Sequence, residues 1–323
     1  MKILVTGAGG FIGTHLVSLL KKEGHFVVGV DVKKNEFIES EADFFIIQDL
    51  SEQVGTDHIF KNFMFDQCYN LAAVMGGMEF LANGKYDYTV LRESTLININ
   101  VIDSAIKYGV KKIFLSSSAC IYNYKFQENT DNVSLKENVH DYPSLPDLEY
   151  GWQKLISERL YMAGQRCNEI QTRIARFHNV YGEYTEYDTE KAKAPAALCR
   201  KVAMAKDGES IEVWGDGEQT RSFMWIGDCV VGVRKLMDID CGFPINIGSD
   251  ELIAINDLAQ MIIDISGKKL TIKNIEGAQG VRGRNSDNTL IKEVLGWSPS
   301  QPLKVGIEKL YKWVNKQIDG TSK

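Results

Sequence analysis

Tyr150 and Lys154 stand four residues apart in Tyr150-Gly-Trp-Gln-Lys154, which on a helix puts a phenol and an ammonium on one face. A neighbouring ammonium lowers the pKa of a phenol, and the positive ring of an oxidised nicotinamide pulls in the same direction. A phenol activated in this way can take the proton of an alcohol while the alcohol carbon gives up hydride. Upstream, Ser116-Ser117-Ser118-Ala119-Cys120 follows an apolar run and offers a hydroxyl, assigned to Ser118, at the carboxyl edge of a strand. Cys120 lies two residues beyond that hydroxyl. A cysteine is often only a small buried apolar group, but this placement puts its thiol within range of the same chemistry.

A cofactor must be held against these residues, and the N-terminus has the pattern for it. An apolar strand at 2–6 runs into Gly7-Ala8-Gly9-Gly10-Phe11-Ile12-Gly13, and a helix with apolar residues at helical spacing follows over 11–22. Gly7, Gly10 and Gly13 allow a tight turn, close approach of a pyrophosphate and packing of helix on strand. The helix N-terminus, with Phe11 and Ile12, then faces the phosphates. Asp31 closes the next strand, 26–31, where a carboxylate can accept both ribose hydroxyls of NAD and repel the 2′-phosphate of NADP. Asp49 and Leu50, after a strand at 44–48, are expected beside the adenine. NAD is the expected cofactor, a preference that Lys33 and Lys34 soften slightly.

Further strands at 67–73 and 112–116 alternate with helical segments, a pattern that makes a parallel sheet covered on both faces. The expected fold is therefore α/β, a Rossmann-type doubly wound parallel sheet with a smaller C-terminal α/β substrate lobe. Residues 1–176 are assigned to the NAD-binding domain. Residues 177–323 are assigned mainly to the substrate lobe, with segments returning to the main sheet. A long polar stretch spans 183–193, and a helix is expected over 196–205.

The 323 residues suffice for a core without disulfides or a structural metal. A net charge of −6 argues against a general nucleic-acid binder. No run of 18 apolar residues suggests a membrane span, and the first residues do not read as a signal peptide. The six cysteines lack C-x-x-C pairing and the five histidines lack ligand spacing, so no metal is expected and the thiols suit a reducing cytoplasm.

The ordered set of glycine loop, Asp31, Ser118, Tyr150 and Lys154 resembles the extended short-chain dehydrogenase/reductase family, whose Ser-Tyr-Lys these positions match. Within it, the chain is similar to the nucleotide-sugar epimerase branch. The stretches that carry this likeness include Met75-Gly-Gly-Met78, Ser118-Ala-Cys-Ile-Tyr122, Arg176-Phe-His-Asn-Val-Tyr-Gly182 and Lys193-Ala-Pro-Ala-Ala197. Trp214-Gly-Asp-Gly217, Gln219-Thr-Arg-Ser-Phe223, Asn246-Ile-Gly-Ser-Asp250, Gly280-Val-Arg-Gly-Arg-Asn-Ser-Asp-Asn288 and Leu295-Gly-Trp297 complete them. The Asp and Glu that related dehydratases use for water elimination are replaced by Ala119 and Cys120.

The resemblance implies a GDP-sugar substrate, GDP-mannose, inverted at C3 and C5 to GDP-L-galactose through a 4-keto sugar. Cys120 and Lys193 match the acid/base pair, and Lys191 competes for the second place. Arg221, Arg282 and Arg284, in glycine- or turn-rich segments, match residues around the diphosphate, where guanidinium forks bind well. Asn179 matches a substrate-side amide, and Gly76 and Gly77 the loop beside the hexose. A thiol near 8.5 and an ammonium near 10.4 must both be tuned to exchange protons near neutrality. Placing Lys193 beside Cys120 is expected to lower both. Glu79 and the Trp152-Gln153 pair depart from the family pattern and are expected around the sugar. A homodimer is implied as well. The residues leave open a C4-epimerase or single-centre epimerase, with Cys120 or Lys193 idle, and a non-catalytic NAD-binding sensor.

Overall fold

The computed structural model describes residues 1–131 and 134–321. Seven parallel strands form the main sheet, in the spatial order Ile245–Ile247, Gln171–Phe177, Lys112–Ser118, Gln67–Asn70, Lys2–Thr6, Phe26–Asp31 and Phe44–Ile47. Ile3, Leu4 and Val5 are all fully buried, as consecutive residues must be in a strand covered on both faces. Ile3 and Val5 pack with Leu16, Leu20 and Val233, from the helices Phe11–Lys22 and Ile226–Asp238. Leu4 packs with Phe60, Val101 and Tyr161, from the helices Gln53–Phe63, Asp87–Lys107 and Leu148–Cys167. The strand order reverses between Lys2–Thr6 and Gln67–Asn70, which opens a crevice at their carboxyl ends.

Three helices, Ala194–Met204, Ile255–Ser266 and Leu303–Thr321, pack a second core against the parallel pair Ser210–Trp214 and Thr271–Ile275. A four-stranded sheet joins the regions in the order Leu252–Ala254, Thr220–Ser222, Gly283–Ser286, Ser134–Leu135. The last strand of the main sheet, Ile245–Ile247, comes from the C-terminal half of the chain. Among the described residues no helix is long and apolar enough to cross a membrane.

Three element boundaries differ from expectation. The strand expected over 67–73 stops at Asn70, and residues 71–79 line the cleft instead. The strand beginning at Lys112 runs on to Ser118, because Ser116, Ser117 and Ser118 pair with Ala175, Arg176 and Phe177. The serine run is thus held in a sheet rather than in a loop. The helix expected over 196–205 begins at Ala194, with Pro195 in its first turn, where a missing N–H costs nothing.

Candidate active site

One cleft of about 910 Å³ is lined by every site residue expected from sequence except Arg282. Its cofactor end is made of backbone. Gly7 has φ +67°, and a Cβ there would lie 2.9 Å from the Ala72 amide nitrogen. A Cβ on Gly13 would come within 2.0 Å of the Gly7 carbonyl oxygen. Gly9, which the G-x-x-G-x-x-G reading passed over, is as restricted: its Cβ would lie 2.0 Å from the Lys33 carbonyl oxygen. The Asp31 carboxylate braces the loop by accepting the Gly9 N–H at 2.9 Å and the Val32 N–H at 2.7 Å. Burial raises the Asp31 pKa, and the amide bonds from Lys33, Gly9 and Val32 oppose it. Lys33 is engaged by Glu36 and Glu186. This cradle, in which a Cβ on Gly7, Gly9 or Gly13 would collide with backbone, and which the Asp31 carboxylate closes, fits NAD. Gly9→Val is expected to weaken NAD binding at least about a hundredfold, since backbone must move to admit the side chain; titration calorimetry with NAD reads it.

Ser118, Tyr150 and Lys154, the residues expected to carry the hydride chemistry, meet beyond that cradle. Ser118 Oγ accepts the Cys120 N–H at 3.2 Å, which leaves the hydroxyl proton for a ligand oxygen or for Tyr150. Lys154 is buried and donates to the Ser116 carbonyl at 2.7 Å, with its Nζ 5.6 Å from the Tyr150 ring. Burial lowers the Lys154 pKa to about 8, while Cys120 and Glu158 oppose the shift. Burial and the Cys120 charge push the Tyr150 phenol up, and the Ser118 hydrogen bond and Arg284 pull it back. In the protein alone, desolvation therefore outweighs the activation of Tyr150 expected from Lys154.

The sulfur end is organised by one arginine. Arg284 NH1 donates to Cys120 Sγ at 3.1 Å, Nε to Gln127 at 2.6 Å and NH2 to Asp147 at 2.9 Å. Asp147 in turn donates its N–H to the Cys120 carbonyl at 2.8 Å and immediately precedes the helix Leu148–Cys167 that carries Tyr150 and Lys154. A permanent positive charge therefore sits beside the sulfur, tied to the start of the helix that carries Tyr150 and Lys154. Lys193 stands at the N-cap of the helix Ala194–Met204. Its pKa falls because it is buried, whereas a negative charge at Cys120, followed by Cys229, raises it. The expectation that the thiol would lower the lysine thus has the wrong sign; desolvation does the lowering.

Residues 3–248 match the profile of the NAD dependent epimerase/dehydratase family. The chain belongs to this family. A GDP-mannose 3,5-epimerase of Arabidopsis thaliana is 44% identical to this family member over 99% of the chain and 83% of the relative. Among solved structures, a UDP-glucose 4-epimerase from Thermotoga maritima with UDP-glucose superposes with a TM-score of 0.85 at 25% identity, over 98% of this chain and 100% of that one. A UDP-glucuronic acid 4-epimerase from Bacillus cereus, in complex with UDP-glucuronic acid and NAD, gives 0.81 at 27% identity, over 98% and 100%.

The arginines of this epimerase/dehydratase chain divide differently from the sequence expectation. Arg221 and Arg284 lie on neighbouring strands rather than in loops, as direct register partners. Arg221 is held by carbonyls, those of Thr220 at 2.8 Å, Gln279 at 3.2 Å and Val281 at 2.6 Å, and it lines the cleft. Arg282 does not line it; the side chain pairs with Asp216 at 2.9 Å and with Gln279. Arg284 reaches the cleft but is turned onto Cys120. Asn179 lines the cleft while its amide donates to the Ser222 carbonyl at 3.1 Å.

The loops expected beside the hexose close on each other. The Gly77 N–H donates to the Lys191 carbonyl at 3.0 Å, and a Cβ on Gly77 would lie 2.3 Å from the Ala192 carbonyl oxygen. Lys191 places its ammonium over the Phe80 ring at 5.2 Å. Glu79 lines the cleft, but the Trp152-Gln153 pair does not: Trp152 is 39% exposed on the outer face and Gln153 is buried against Ser157. Sequence reasoning missed Arg200 and Lys201, which also line the cleft. The signal was available, since Lys193, Ala197, Arg200 and Lys201 follow the i, i+4, i+7, i+8 spacing of one helical face.

Proposed function

We propose that the chain inverts C3 and C5 of GDP-mannose to give GDP-L-galactose, with residues 1–176 serving the dinucleotide and 177–323 mainly the sugar nucleotide. The observation that carries this reading is that Cys120, with Arg284 on its sulfur, opens into the same cleft as Tyr150, Ser118 and Lys193. The name of the Arabidopsis relative supports the choice of substrate.

The chemistry follows from the groups present. Gly7, Gly10, Gly13 and Asp31 would hold NAD, with Lys154 on its nicotinamide ribose; when bound, NAD accepts the C4 hydride and later returns it. Tyr150 takes the C4 hydroxyl proton while Ser118 donates to the C4 oxygen. The resulting ketone makes the C–H bonds on both flanking carbons acidic, because either carbanion delocalises as an enolate. Cys120 and Lys193 remove and return protons at those carbons from opposite faces of the ring. Ala119 and Cys120 stand after Ser118 in place of the Asp and Glu pair that related dehydratases use for water elimination, which supports a reaction in which the sugar keeps its oxygens.

Incubation of the protein with GDP-mannose in deuterated water tests the reading by NMR. Deuterium at C3 and C5 with galactose-type product is the expected result, and exchange at neither carbon overturns it. The arginines give a second check: Arg221→Ala is expected to raise KM for GDP-mannose about ten- to a hundredfold, as for a lost charged hydrogen bond, and Arg282→Ala less than about threefold. Steady-state kinetics separates the two.

The proposal extends to a homodimer in the cytoplasm. Six unpaired cysteines fit a reducing compartment. Tyr88, Trp152 and Ile156 leave apolar surface exposed on the two mutually packed helices Asp87–Lys107 and Leu148–Cys167. Sedimentation equilibrium at the mass of two chains is the expected result.

A further inference from the structure

A buried polar cluster lies behind Lys154, and none of the chemistry above uses it. Glu158, 2% exposed, follows Lys154 by one helical turn on the same face. Its Oε1 accepts the Ser117 hydroxyl at 2.5 Å and Arg176 Nε–H at 2.9 Å, and its Oε2 accepts Arg176 NH2 at 2.8 Å. The guanidinium also donates to Asp141 at 3.1 Å and to the Tyr122 hydroxyl at 3.3 Å. All three charged side chains are at most 5% exposed. Two carboxylates against one guanidinium leave an excess negative charge, which is costly in a low-dielectric interior without a counter-charge. Lys154 has the converse need, as a buried ammonium resting on the neutral Ser116 carbonyl.

We propose that Glu158 is a positioning residue of the redox site: tied to the serine strand through Ser117 and to the neighbouring strand Gln171–Phe177 through Arg176, its buried carboxylate keeps the Lys154 ammonium charged. The proposal rests on the hydride role given to Tyr150 and Lys154 above. Cys120 first and then Glu158 oppose the fall of the Lys154 pKa to about 8 that burial causes. Tyr150 faces Lys154 from its own helix, Arg176, Asp141 and Tyr122 stand behind Glu158, and Arg284 acts on Cys120 and Tyr150. Glu79 and Glu93 line the same cleft from the segments Met78–Ala82 and Asp87–Lys107.

Glu158→Gln isolates the charge. It preserves the shape and a hydrogen-bonding partner for Ser117, and it leaves Arg176 paired with Asp141, so no bare charge is buried. Removing a negative charge makes the Lys154 ammonium lose its proton more readily. The alkaline limb of the pH profile of kcat is therefore expected to move about one unit toward acid, with the plateau within about threefold of wild type. Glu158→Asp restores it. A merely structural role lowers the plateau or Tm and leaves that limb in place, which overturns the proposal. The pH midpoint of NAD binding, assigned by its loss in Lys154→Met, reads the same shift without substrate. A wild-type protein inactive on GDP-mannose would refute the function proposed above, while an absent or unmoved midpoint in the NAD titration would refute the role of Glu158.

Discussion

Cys120→Ala protein mixed with GDP-mannose in deuterated water should incorporate deuterium at C3 and C5 at least about a thousandfold more slowly than wild type, the scale on which a positioned acid or base contributes. Absorbance at 340 nm should nevertheless rise, because oxidation at C4 depends on Tyr150, Ser118 and Lys154, all of which the variant keeps, together with the backbone N–H of residue 120 that Ser118 accepts. The thiol sits in the middle of the short helical turn Ala119–Ile121, and Arg284 is held independently by Gln127 and Asp147, so the guanidinium stays in place when the sulfur is removed. Lys193→Met should also block inversion while sparing the absorbance change. Exchange at wild-type rates in Cys120→Ala would remove the thiol from the mechanism. Loss of both signals would mean that Cys120 shapes the redox site rather than serving the ring carbons.

Tyr150→Phe should abolish both signals, with kcat lower by about a thousandfold or more. Without the phenol the C4 hydroxyl proton has no acceptor, no ketone forms, and the C–H bonds at C3 and C5 are no longer acidic. The two variants thus order the chemistry, because one stops exchange alone and the other stops everything. The wild-type pH dependence should carry the signature of Lys154. Burial depresses its pKa from 10.5 to about 8, so the ammonium is present below that value and lost above it. Turnover that needs the ammonium therefore declines as pH rises through about 8. A profile that keeps rising well above pH 8 would separate Lys154 from the hydride chemistry.

Local geometry is what this chain's sequence makes legible. The glycine cradle is a junction between adjacent elements, and its conformation follows from which residues lack a Cβ. Tyr150 and Lys154 share a helix face by spacing alone. Arg200 and Lys201 could have been found in the same way, from the face that begins at Lys193. Other assignments depended on distant partners. Arg282 and Arg284 carry identical guanidinium groups two residues apart, and nothing in their local sequence distinguishes their fates. One meets Asp216 on a turn outside the cleft, whereas the other finds Gln127 and Asp147 and is turned onto Cys120, 164 residues away in sequence.

The sign of the Lys193 shift shows the same division. A charge pair can be imagined from sequence, but desolvation depends on how much protein closes over an ammonium, and that outweighs Cys120 here. The Glu158–Arg176 pair is likewise invisible in one dimension, since a helix and a strand must be packed before two carboxylates share one guanidinium. By itself, the sequence determined the parallel α/β layering, the dinucleotide loop and the Ser118-Tyr150-Lys154 set, because periodicity and glycine placement act over a few residues. Only the tertiary structure decided which arginine serves the sulfur, which serves the cleft and what charge lies behind Lys154, because burial and long-range hydrogen bonding exist only once the chain has packed.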